Sequence, residues 1–95
     1  VKDFNKIKQV MHDIITECEK VDEMEQKGIS VESTKQERDY IVDEMKSLIS
    51  NESLLQKTTW TKSHANASKG WDWAPTNTNT IYILLVKLAR ILEEH

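Results

Sequence analysis

Along the first quarter of the chain, apolar residues recur at spacings of three and four: Phe4, Ile7, Met11, Ile14, Cys18 and Val21, broadened by Val10 and Ile15. This is the period of a helix that buries one face. Gly28 suits the left-handed position that closes a helix, so the first element is predicted from about residue 3 to about residue 27. Its charges run against the helix dipole, with Lys2, Lys6 and Lys8 at the start and Glu23 and Glu25 at the end. Such a helix depends on packing rather than on its own propensity.

A short link from Gly28 to Ser33 leads to Thr34-Lys35-Gln36-Glu37, which has the form of a capping box with Thr34 as N-cap. Ile41, Met45, Leu48 and Leu55, supported by Val42 and Ile49, mark the apolar face of a second helix. Ser50 and Asn51, which prefer caps to helix interiors, mark a bend or a restart within it. The short link implies an antiparallel hairpin over about 3–57. Its register brings Val21 toward Val42 and Cys18 toward Met45. Near the turn, Glu25 and Arg38 should meet, since each lies on an otherwise apolar stripe. At the other end, Phe4 approaches Thr59 and Trp60, which predicts Trp60 partly buried against Phe4 or Ile7.

From Thr58 to Thr80 the chain turns polar, yet it carries all three tryptophans, Trp60, Trp71 and Trp73. A short helix is predicted over about 61–69 with Gly70 as its terminator, because a structureless loop of that length is unusual in a compact domain. The stretch Asp72 to Asn79, containing Pro75, should be irregular. A C-terminal helix follows over about 79–94, with Asn79 or Thr80 as N-cap and a core stripe of Ile81, Leu84, Leu85, Leu88 and Leu92. The hexamer Ile81 to Val86 also fits a buried strand, but the helical pattern continues beyond it and no second strand exists to pair with it.

The predicted fold is therefore all-α, a small antiparallel bundle of three to four helices forming a single helical domain over 1–95. Two glycines and one proline in 95 residues agree with long helices rather than many turns. Cys18 is the only cysteine, so no internal disulfide forms, which suits a reducing, cytoplasmic setting. No apolar run is long enough to span a bilayer and no secretory h-region is present, so no membrane partner is expected. The chain opens at Val1 rather than methionine, as a processed product or an excised domain would.

Charge is uneven. Residues 13–44 hold eleven acids and four bases, a net of −7, and the remainder hold five acids and nine bases, a net of +4. The acids Glu17, Glu19, Asp22, Glu23 and Glu25 could face Glu37, Asp39, Asp43 and Glu44 across the hairpin, as metal-holding carboxylates do in all-α nucleotide hydrolases. Most fall off the apolar stripes, however, so a solvated acidic face is the better reading. His12 lies opposite its helix's apolar face, His64 has no Cys or His near it, and Cys18 sits on a core stripe. No catalytic residue, metal ligand or cofactor-binding residue is expected on these grounds. The sequons at Asn51 and Asn66 matter only in a secreted protein.

Two features carry surplus binding surface. Trp71 and Trp73 flank Asp72 in a polar loop ahead of Pro75; they could fold back to close the bundle or form a recognition loop. Tyr82, Ile83 and Val86 lie roughly 100–180° around the last helix from the Leu88 stripe, so one packing face cannot cover both sets. Together these five residues are the candidate interaction surface. They point to a small regulatory or protein-binding module that docks a protein partner or self-associates as a homodimer through its C-terminal helix. The alternative is a metal-dependent nucleotide hydrolase built on the acidic hairpin. A net charge of −3 weighs against nucleic acid, leaving phosphate or nucleic-acid contact at the basic end as a weaker third reading.

Overall fold

A computed structural model describes residues 4–51, 53 and 69–93, and within these the protein is helical throughout, with no strand. Helix α1 spans Phe4–Gln26 and α2 spans Lys35–Ser50. A 3₁₀ turn over Lys69–Trp73 leads to α3, Thr78–Glu93. The strand reading of Ile81 to Val86 is thereby excluded.

Helix α1 ends as its sequence foretells. Gly28 takes φ +87°, the Ile29 amide donates to the Met24 carbonyl (3.1 Å) and the Gly28 amide to the Glu25 carbonyl (3.0 Å). These are the paired bonds of a Schellman turn. Its first turn holds no acid and its last turn no base, so the dipole is left uncompensated and tertiary packing must hold the helix. The capping box of α2 is complete. The Glu37 amide donates to the Thr34 hydroxyl (3.1 Å), and the Thr34 amide donates to the Glu37 carboxylate (2.8 Å).

Helix α2 closes at Ser50 with Asn51 as its C-cap, so the chain does not run through as one bent helix, and a restart beyond it falls outside the described residues. The predicted continuation to residue 57, Leu55 included, and the short helix over 61–69 lie outside the described residues apart from residues 53 and 69. So does the packing expected of Trp60 against Phe4. Gly70 sits inside the 3₁₀ turn. Helix α3 begins at Thr78, ahead of both predicted caps. The Ile81 amide already donates to the Asn77 carbonyl (3.2 Å) and the Asn79 amide to the Thr76 carbonyl (3.1 Å), which draws the helix start toward Pro75.

Helix α1 is the hub. It packs against α2 on one side and α3 on the other, while α2 and α3 share no comparable interface. Ile7, Met11, Ile14, Cys18 and Val21 are fully buried, and they join Ile41, Met45, Leu48, Ile81, Leu85 and Leu88 in one core. Phe4 and Ile15 pack at its edge, and Lys8 covers the Phe4 ring at 5.2 Å from its centroid.

Candidate functional site

Among the described residues, two places gather side chains beyond what a three-helix core requires: a polar network under the hairpin turn, and the outer face of α3.

The network centres on Arg38, whose side chain is wholly buried. Its Nε donates to Asp22 Oδ1 (2.6 Å), and its Nη1 donates to the Ser33 carbonyl (2.6 Å) and hydroxyl (2.9 Å). Its Nη2 donates to Glu25 Oε1. The expected meeting of Glu25 and Arg38 is therefore present, joined by Asp22, one helical turn earlier on α1. A guanidinium fork suits this task because it presents donors in several directions in one plane. Burial works against the charge, but the hydrogen bonds to Asp22 and Glu25 outweigh it and hold the Arg38 pKa above the usual guanidinium value.

Several other hairpin acids are engaged in the same way. Lys35 binds Asp39 (2.6 Å) and Asp22 (3.3 Å), and those two bonds raise its pKa. Glu17 accepts from Lys20 (3.3 Å) and from Asn77 Nδ2 (3.0 Å), Glu23 pairs with Lys27 (3.6 Å), and Thr76 Oγ1 donates to Glu32. Among the described residues no three His, Cys, Asp or Glu side chains converge as a metal-binding group. Glu17 and Glu32 tie α1 and the turn to the segment leading into α3. His12 is exposed. Cys18 is fully buried, and desolvation, with the nearby Asp22 charge second, pushes its thiol up to about 12, so it is neutral and unreactive at ordinary pH.

The five candidate surface residues divide. Trp71 is 7% exposed and belongs to the core, whereas Trp73 is 88% exposed. The two part ways because residues two apart in a 3₁₀ turn point about 120° from each other. Asn79 Nδ2 donates to the Asp72 carbonyl (2.7 Å), tying this turn to α3. On α3, Ile83 is half exposed while Tyr82 and Val86 are half-buried. With Lys87, Arg90 and Ile91 they line a shallow concavity of about 390 Å³. Ile91 was not foreseen as part of this face, although it follows Ile83 and Lys87 at intervals of four. Leu84, expected in the core stripe, packs at its edge.

Around the helix the face lies opposite the buried set Ile81, Leu85, Leu88 and Leu92. At about 100° per residue, Ile83 stands roughly 160–180° from Ile81, Leu85 and Leu92. The tryptophan turn is not among the residues lining it. Helix α3 is thus apolar on two sides, and α1 occupies only one.

The chain matches no family model, no curated protein and no solved structure.

Proposed function

We propose that the protein is a small protein-binding module with a regulatory role, and that the outer face of α3 is its docking surface. The observation that supports this is Ile83, a large aliphatic side chain 52% exposed on the side of α3 away from the core. Around it Tyr82, Val86 and Ile91 offer apolar contact, and Lys87 and Arg90 offer a charged border. An apolar centre with a polar rim is the anatomy of a recognition patch. Self-association through the same face is the second form this reading takes. A cytoplasmic location belongs to the proposal as well, resting on a lone buried thiol.

Replacing both Ile83 and Val86 with aspartate tests it. Ile83 contributes little to the core, so the double variant should stay folded, with its thermal midpoint lowered by only a few degrees. If the wild type sediments as a dimer, the variant should sediment as a folded monomer. If the wild type is already a monomer and the variant unfolds, the face is internal to the fold and the docking reading fails.

A further inference from the structure

We propose, building on that docking reading, that the occupant of the α3 face is an acidic amphipathic helix supplied by another protein. Shape comes first. The six lining residues form two parallel rows with four-residue steps, Tyr82–Val86–Arg90 and Ile83–Lys87–Ile91. Rows of this kind are the ridges of helix surfaces, and the groove between them receives a ridge from a second helix. The groove spans about two and a half turns, so a short helical segment fills it. An extended strand would find no unpaired backbone edge here, because every residue of the groove lies within α3.

Charge decides the partner's composition. Lys87 and Arg90 are three apart on one helix, where like charges repel. Neither has an ion-pair partner among the described residues, and no carboxylate lines the groove. Elsewhere Lys20, Lys27, Lys35 and Arg38 are each matched to an acid, whereas Lys8 and Lys46 stand singly without an ion pair among the described residues. In a chain of net charge −3, this face sets two cations side by side with no carboxylate in its lining. Arg90 in the last turn also complements the α3 dipole, but Lys87 has no such role. A partner helix with an apolar ridge flanked by Asp or Glu would fill the groove and neutralise both cations.

A second copy fits less well. A symmetric pairing of α3 faces gathers four cations, two copies each of Lys87 and Arg90, into one interface with no carboxylate in its lining. A head-to-tail contact through the acidic hairpin would be heterologous and would build rings or open filaments rather than a discrete pair.

The test is selection from a displayed library of randomised amphipathic helices on the immobilised full chain. The affinities of the recovered peptides are then compared on wild type, K87E/R90E and I83D. The expected peptides carry Asp or Glu beside an apolar ridge, bind K87E/R90E about tenfold or more weakly, and lose affinity as salt rises from about 0.05 M to about 0.5 M. Replacing their acids with lysine should transfer preference to K87E/R90E, and I83D should abolish binding of both. Neutral or basic winners, or winners indifferent to K87E/R90E but lost on I83D, would overturn the acidic partner while leaving the docking surface intact. Winners indifferent to I83D would remove both. Two further outcomes also overturn it: concentration-dependent self-association abolished by I83D, and K87E/R90E-sensitive binding to phosphatidylserine vesicles in place of peptides.

Discussion

The Ser33 and Thr78 hydroxyls lie 3.3 Å apart, buried, and join the hairpin turn to the first residue of α3. Ser33 also accepts from Arg38, so its side chain serves two partners and that of Thr78 one. Thr78→Val keeps the shape and loses one hydrogen bond, for an expected cost of about 1 kcal/mol. Ser33→Ala strands a guanidinium donor as well and should cost about 2 kcal/mol. Urea denaturation of the two variants checks the order; equal costs would mean that the Arg38 bond to this hydroxyl contributes nothing.

Arg38→Met should destabilise the fold by about 2–3 kcal/mol, somewhat less than for a fully enclosed ion pair, because the Asp22 and Glu25 carboxylates keep access to water. Arg38→Lys should recover only part of that loss, since an ammonium cannot reach Asp22, Glu25 and Ser33 from one position. Full recovery by lysine in the same denaturation series would show that charge alone matters at this site.

Both ends of the α1–α2 link can be probed separately. Gly28→Ala meets no atom within 4 Å but must adopt φ +87°, which costs about 1–2 kcal/mol. Thr34→Ala removes the cap of α2 and should cost about 1 kcal/mol. The two sites share no contact, so the double variant should lose the sum of the two, as thermal denaturation will show.

Stability should fall in alkali because of Cys18. Its thiol is held at about 12 in the fold against 9.0 when exposed. Below pH 9.0 the group is protonated in both states and costs nothing. Above it the unfolded chain loses the proton first and is favoured, by up to about 1.4 kcal/mol per pH unit until the folded thiol also titrates. Cys18→Ala should flatten this slope between pH 9 and about 11, apart from its constant cavity cost. In the wild type, thiol reagents at neutral pH should label Cys18 only as fast as the fold opens.

Trp71→Ala should cost about 3–5 kcal/mol as a packed core residue, and Trp73→Ala less than about 0.5 kcal/mol. Fluorescence quenching by acrylamide distinguishes them in the folded protein: removal of Trp73 should take away most of the signal contributed at these two positions that the quencher can reach.

The three-and-four spacing from Phe4 to Val21, the Thr34–Glu37 box and Gly28 made α1, the turn and the start of α2 readable directly, because each is a local rule obeyed locally. Glu25 and Arg38 were readable as a pair because a charge on an apolar stripe needs a partner and the short turn fixes the register. Asp22 was not, since it lies off the centre of that stripe and reaches Arg38 only through the way α2 crosses α1. Trp71 and Trp73 share one composition and one loop, and only the 3₁₀ geometry, which no side-chain pattern announces, sends one inward and the other out. The outer face of α3 could be read as surplus apolar surface, but its groove could not, because Ile91 and the paired rows are a property of the folded surface.

Because α1 makes the main interface with each of the other two helices, the described part of the molecule has a hierarchy of opening. Either flanking helix can detach while the other still covers part of α1, but α1 cannot leave without dissolving both helix–helix interfaces at once. Amide exchange in α1 should therefore track global unfolding, with α2 and α3 free to exchange through cheaper partial openings. A ligand held on the outside of α3 would slow exchange in that helix first and reach α2 only through the hub.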